Sequence, residues 1–406
     1  MTDTPRILVI GYCYPPTASP EAFVSAKLMR NIPDCKIDVL TLEDGLVSDF
    51  FDDEMGEYAA DINGEVIKVS PSPLTKYLCR VPRLPLRPDR WLLANSSVHQ
   101  RAKQLMPRKY DLLITRSQYH SAHLVGLRLK KSNPALPWIA CFSDPWSESD
   151  HQPFIPFISH LSQKHEEKVM ELADRLIFPT TGLLEHMTKG HNAAVKKSYV
   201  VPHCIDYNLY PREAHPATSL KDESQYVWRI FGSFYGNRQP DVLFEALSKI
   251  SIPSNKNLSV EVFGSHHEKY DNFDAFNQEH TDRKIRYAGQ ISHKKALSLM
   301  QVSDLLIVID STNMKESFYL PSKIIDYFGS GAHVLSICRE GTVSAITRER
   351  GHLVASIDSV TAICVEMEKA LSMRHPRCRQ QCISSDFSAS TVGQTFRKII
   401  TDAIKR

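Results

Sequence analysis

At 406 residues the chain exceeds one ordinary domain, and its 42% hydrophobic and 23% charged content suits a protein with two packed cores. A net charge of +3 is too weak for a nucleic-acid footprint, no apolar run is long enough to span a bilayer, and no secretory leader pattern opens the chain. Nine cysteines stand singly with no CxxC, and the late pair Cys378 and Cys382 lacks a second ligand pair for zinc; this usage points to a reducing cytosol.

The run Arg6 to Gly11 is β-branched and ends in glycine, the opening strand of an α/β unit. Prolines keep the next loop, Tyr12 to Pro20, out of a helix, and a helix follows from about Glu21 to Asn31. A GxGxxG fingerprint is absent, which argues against a dinucleotide site. Strands are expected at Lys36 to Leu42 and Glu65 to Val69, with the acidic run Asp49, Asp52, Asp53 and Glu54 between them as a solvated loop rather than a metal site. From Lys76 to Lys109, Arg80, Arg83, Arg87, Arg90, Arg101, Lys103 and Arg108 face a single acid, Asp89, with Leu84, Leu86, Trp91, Leu92 and Leu93 interleaved. That mixture suits an anionic bilayer surface; it also suits a Pro-rich connection followed by an amphipathic helix that packs inward. Tyr110 to Thr115 and Pro137 to Phe142 read as strands, the second ending in Ser143-Asp144-Pro145-Trp146. Asp144 is a candidate general base at the carboxyl end of a parallel strand, or the acid of an Asx turn. Glu148 and Asp150 follow it, but no metal is expected there. A helix from about Phe157 to Ala173, a strand Arg175 to Phe178 and a helix from about Gly182 lead to Tyr199 to Asp206, which closes the first half. The domains expected are 1–206, 207–386 and a closing helix in 387–406.

In the second half, strand Val227 to Phe231 runs into Gly232-Ser233-Phe234-Tyr235-Gly236-Asn237-Arg238, where glycines permit close backbone approach to an anion and Arg238 adds a cationic fork. A helix from Asp241, a strand Leu258 to Phe263, the run Arg286 to Gly289 leading to Gln290 and Ile291, and a helix His293 to Gln301 follow. Strands at Asp304 to Ile309 and His333 to Ile337 flank ESFYLPSKIIDYFGSG, Glu316 to Gly331. Pro321 is pre-set for the first turn of a helix, and Ile324, Ile325 and Phe328 recur at helical spacing. A lysine at a helix start is electrostatically out of place, so Ser322, Lys323 and the free N–H groups read either as a phosphate site or as a capped surface helix.

The run PSKIIDYFGSG resembles the donor-nucleotide loop of retaining family 4 glycosyltransferases of the GT-B fold, in the subgroup that opens with PSK. Tyr199-Val200-Val201-Pro202-His203-Cys204-Ile205-Asp206 is similar to that family's segment at the end of the first domain. The resemblance implies an α/β, GT-B architecture: two facing Rossmann-like domains with parallel sheets and an interdomain cleft. It implies that Asp326 grips the ribose hydroxyls, that Arg238 and Lys323 face the diphosphate, and that Pro321 and Ser322 hold the phosphate end. Gly232, Ser233, Phe234 and Tyr235 would form the diphosphate element, with Gly289, Gln290 and Ile291 at the base. On the acceptor side it implies Asp144 as catalytic base with Arg238 and Lys323 as the other catalytic groups, and Tyr14, Ser19 and Trp146 as acceptor contacts. The chain departs from the pattern in three places: Phe318 stands where a second glutamate is usual, Ser233 where an arginine is usual, and Ala18-Ser19 where many members carry Gly-Gly. The expected activity is retaining transfer of a sugar from a nucleotide-sugar to a hydroxyl acceptor, a lipid-linked glycan among the candidates, in bacterial surface-polysaccharide assembly. No metal or cofactor, no nucleic acid, and a cytoplasmic location at the inner face of the membrane are expected. A nucleotide-sugar 2-epimerase of the same fold, or a non-catalytic partner subunit, are the alternatives.

Overall fold

Strands buried on both faces read as unbroken apolar runs rather than alternating ones, because crossover helices cover both sides of a parallel sheet. The runs at Ile7 to Ile10 and Leu305 to Ile309 are of this kind, and every one of those residues is buried. In the computed structural model, which describes residues 4–81, 84–147, 155–211, 224–234, 239–310, 316–373 and 385–405, such runs build two sheets. One holds β1 (Arg6–Gly11), β2 (Lys36–Leu42), β3 (Val66–Val69), β4 (Leu112–Arg116), β5 (Trp138–Cys141), β6 (Arg175–Phe178) and β7 (Ser198–Val200), in the order β3-β2-β1-β4-β5-β6-β7. The other holds β8 (Gln225–Phe231), β9 (Asn257–Phe263), β10 (Arg283–Tyr287), β11 (Leu305–Asp310), β12 (His333–Cys338) and β13 (Leu353–Ser356), in the order β10-β9-β8-β11-β12-β13. Every pairing is parallel; Ile7 sits opposite both Ile37 and Leu112, and Leu305 opposite both Trp228 and His333.

The chain divides into two compact units, residues 1–204 with 386–406 and residues 205–385. Within each, strand order reverses beside the first strand, at β1/β4 and at β8/β11, which is where an open α/β sheet leaves a crevice at the carboxyl ends of its strands. The core of the second unit packs Trp228, Ile230, Val260 and Ile307 of the sheet against Leu243, Leu247, Ile363 and Met367 of its helices. In the first unit the terminal helix Ala389–Ile404 is capped by Ser388, whose Oγ accepts from Thr391 N at 3.2 Å, and it is tied to β6 by Arg175 Nη2 donating to Asp402 O at 3.0 Å.

The acidic run and the basic stretch each place part of their charge against the fold. The acidic run is solvated at Asp49, Asp53 and Glu54 but is not all loop: Asp52 is 2% exposed and caps the helix Asp53–Ala60, accepting from Met55 N at 3.0 Å, with Asp53 and Glu54 in the first turn where the helix dipole favours anions. In the basic stretch, Trp91 is fully buried, and several cations have partners inside the unit. Lys76 pairs with Glu43 at 2.5 Å, Arg80 donates to Gly45 O at 3.0 Å, and Arg108 reaches Asp38 at 3.1 Å and Glu65 at 2.9 Å. The helix Pro73–Arg80, strand β13 and helix Val360–Ser372 went unread. The first carries its own start signal, Pro73 behind Ser72, while β13 is a four-residue edge strand too short to show a period.

Candidate functional site

In the second unit, the turns after β8, β9 and β10 are latched to one another. Gly232 N donates to Phe263 O at 2.8 Å and Gly264 N to Gly289 O at 3.0 Å. Ser265 N donates to Ser233 Oγ, and Gln290 Nε2 to Ser265 Oγ, each at 3.0 Å. The packing demands glycine twice. Gly264 has φ +144°, and a β-carbon there would lie 2.7 Å from the Gly232 carbonyl; Gly232 has φ +109°, and its β-carbon would lie 2.9 Å from Lys323 Nζ. A lysine amine therefore rests against bare backbone at the carboxyl end of the first strand of the sheet.

That lysine is delivered by the helix Ser322–Ser330, which buries Ile324, Ile325, Tyr327 and Phe328 and ends at Gly331 in the left-handed region. Its position is pinned from two sides: Phe231 N donates to Tyr327 Oη at 2.9 Å, and Tyr210 Oη donates to Asp326 O at 2.9 Å. Lys323 and Asp326, three residues apart, share one flank of the helix. Asp326 is 5% exposed, and His293 Nε2, at the first position of the helix His293–Gln301, stands 3.8 Å from its Oδ2. Ser317 Oγ also donates to Asp310 Oδ2 at 2.5 Å at the end of β11, both residues buried. Neither His293 nor the Asp310–Ser317 pair was singled out in the sequence; His293 follows the loop after β10 and Asp310 is the last residue of β11, and an ionisable group at a strand's carboxyl end is the signal that would have flagged them.

Of the other expected donor-side residues, Ser233, Gly289, Ile291, Pro321 and Ser322 are half-buried on this rim and Gln290 is exposed. Phe234 is a core ring, edge-on to His267 and Tyr270 with centroids 6.3 Å away in both cases. Tyr235 and Arg238 lie outside the described residues, as do Glu148, Asp150, Cys378 and Cys382.

The first unit fills its carboxyl edge differently. Glu21, in the first turn of the helix Pro20–Arg30, accepts from Arg116 Nε and Nη2 at 3.1 and 2.8 Å, from Ser25 Oγ at 3.0 Å and from Ser143 Oγ at 2.8 Å. Burial pushes the Glu21 carboxyl above its ordinary range, and Arg116 opposes the shift. Ser143 N in turn donates to Ser117 Oγ at 3.0 Å, so the residue before Asp144 is held at both its backbone and its side chain. Asp144 itself is half-buried. Trp146 is 3% exposed, donates Nε1–H to Ser162 Oγ at 2.9 Å and stacks on His120 with centroids 5.1 Å apart. Tyr14 is buried with its hydroxyl on Ala59 O at 3.3 Å, and Ser19 caps the helix Pro20–Arg30 through Ala22 N at 3.2 Å. The polar atoms of these three residues thus brace the loops they stand on. Burial pulls His120 down to about 4 and His123 well below its ordinary value. The sequence signal missed here was charge where none belongs: Arg116 ends a strand that is buried throughout.

No protein-family model matches the chain, and no curated protein does. Solved structures match over its whole length. A glycosyltransferase from Rickettsia africae superposes with a TM-score of 0.66 at 15% identity, covering 100% of both chains. Anabaena HepE in complex with UDP-glucose gives 0.62 at 14% identity over 98% of this chain and 99% of that one, and sucrose-phosphate synthase from Thermosynechococcus elongatus gives 0.65 at 14% over 98% and 95%. The fold is GT-B. Two Rossmann-like units with parallel sheets of seven and six strands are what this chain shares with those glycosyltransferases. Among the described residues of this GT-B chain, no group of three or more His, Cys, Asp or Glu side chains is placed to hold a metal ion, and no helix is long and apolar enough to cross a membrane.

Proposed function

We propose that the chain is a retaining glycosyltransferase that moves a sugar from a nucleotide-sugar to a hydroxyl acceptor, with the donor held on the second unit. The observation that carries this reading is the Lys323 amine seated against the bare backbone of Gly232, beside the amino end of the helix Ser322–Ser330. A cation, the amino end of a helix and a glycine turn converging on one place suit a diphosphate. UDP-glucose bound to HepE, a protein of the same fold, supports a nucleotide-sugar as that ligand.

In this reading Asp326 takes the ribose hydroxyls, with His293 limiting how its carboxylate turns. Gly289, Gln290 and Ile291 lie under the base. As the sugar–phosphate bond breaks, negative charge gathers on the departing diphosphate, and groups already in place stabilise it without reorganising. Lys323 and the helix N–H groups do this, together with Arg238, and no metal takes part. Asp144 of the first unit accepts the proton of the acceptor hydroxyl. Family 4 membership and a role in bacterial surface-polysaccharide assembly, with a lipid-linked glycan as acceptor, complete the proposal.

The test has two arms. Thermal-shift screening against UDP-, GDP- and dTDP-sugars identifies the donor by a raised Tm, and the matching donor is then assayed for transfer and, without acceptor, for epimer formation. Asp144→Asn is expected to lower transfer while leaving nucleotide Kd near wild type. Stabilisation by none of these donors, or epimer without transfer, overturns the reading.

A further inference from the structure

The helix Pro156–Leu172 presents a solvent side that a surface helix of a globular domain does not ordinarily have. Its inner side is accounted for: Val169 and Met170 are buried, Ser162 accepts the Trp146 N–H, and Glu166 Oε2 accepts from Ser147 N at 2.8 Å. Outward, Phe157, Leu161, Lys164 and Lys168 recur at steps of four, three and four residues, which lays them in one stripe roughly 17 Å long. Phe157 is 82% exposed and Leu161 46%, whereas amphipathic helices turn such residues to the core. The stripe is therefore apolar at the helix start and cationic further along.

Its surroundings continue the pattern. Arg128 and Lys131 from the helix Ser121–Ser132 join Lys164 and Lys168 around a groove floored by Leu92, Leu124 and Leu127. Glu167 and Glu171 share the rim, and Lys168 pairs with Glu171 at 2.7 Å, so cations outnumber acids there. Leu92 belongs to the short 3-10 turn Arg90–Ala94, on which the helix Pro73–Arg80 packs through Cys79 Sγ and Arg90 O at 3.4 Å. That helix leaves Leu74 and Tyr77 each 68% exposed. All of these residues lie in the first unit.

We infer that this face of the first unit docks on an anionic phospholipid bilayer, Phe157 and Leu161 entering the interfacial layer while Arg128, Lys131, Lys164 and Lys168 meet the headgroups. A layered partner, apolar below and anionic at its surface, fits a stripe whose apolar and cationic parts are separated along one helix. An acidic protein or a nucleic acid would match the cations and leave Phe157 and Leu161 without use. The inference stands apart from the donor-site reading, because no residue of the second unit enters it.

Co-sedimentation of the full chain with phosphatidylglycerol–phosphatidylcholine vesicles and with phosphatidylcholine vesicles alone tests it. Binding to the first and not the second, weakening as salt rises, is expected. Lys164→Gln with Lys168→Gln should lower partition about 25-fold, about fivefold per cation, and Phe157→Ser with Leu161→Ser at least about tenfold. Thermal melts of both double variants at the wild-type Tm establish that folding is untouched. Absence of vesicle binding at low salt, equal binding by the apolar double variant, or equal competition by heparin in place of lipid overturns the proposal.

Discussion

The two carboxyl edges are built on the same strand order about their first strands and end up opposite in character. In the second unit the turns at Gly232, Gly264 and Gly289 strip side chains from the edge, so that a lysine rests on bare backbone at the switch between β8 and β11. In the first unit the switch between β1 and β4 is closed by the buried Glu21–Arg116 pair, to which Ser143 donates its hydroxyl, while His120 and Trp146, close in sequence to Arg116 and Ser143, stack on each other. Topology places a crevice in each; residue type decides whether it receives a ligand or is braced to hold a neighbouring loop still.

The largest effect that would break this contrast is on stability in the first unit. Arg116→Ala leaves Glu21 charged and unpaired in the interior and is expected to cost about 3–5 kcal/mol by denaturant unfolding. Replacing both partners with Leu and Met should recover most of that loss, and failure to recover would show that the pair does more than satisfy itself. In the second unit, Lys323→Ala is expected to fold normally and to lose roughly 10²–10³ in kcat at saturating donor, with activity unaffected by EDTA. Abolition by EDTA with near-normal turnover of Lys323→Ala would hand the charge-stabilising role to a metal.

The braced edge should also be acid-sensitive. The unfolded chain takes up a proton at His120 near its ordinary value of 6.5, while in the folded unit burial holds it to about 4. The stability tied to the neutral ring is therefore complete above about pH 6.5 and is lost as pH falls towards 4, by at most about 3 kcal/mol. His120→Gln should flatten part of the fall of Tm over that window; an unchanged slope would assign it to other groups. The smallest expected effect is Asp326→Ala, which should weaken nucleotide binding by about 1.5–3 kcal/mol by calorimetry, leaving Tm without ligand close to wild type.

Local patterning alone carried much of the architecture. The runs at Arg6–Gly11, Lys36–Leu42, Arg175–Phe178 and His293–Gln301 coincide with their elements, because apolar periodicity and caps act over a few residues and do not need the rest of the chain. The GT-B fold was implied by the family resemblance that the PSK run carries. The acidic run was legible only in part: Asp49, Asp53 and Glu54 do face water, but Asp52 is buried and caps a helix, a geometry that charge counting does not contain. Nor could spacing show that Arg116 meets Glu21, that His293 stands by Asp326, or that the lysine of a helix start comes to rest on a glycine far away in sequence. Nor does the helical pattern from about Phe157 say which face that ring takes; the packing turns it outward. Sequence determines which segments form helices and strands, since those are settled by near neighbours. Which charges pair, which rings are buried and which backbone lies bare depend on contacts between distant segments, and only the tertiary structure decides them.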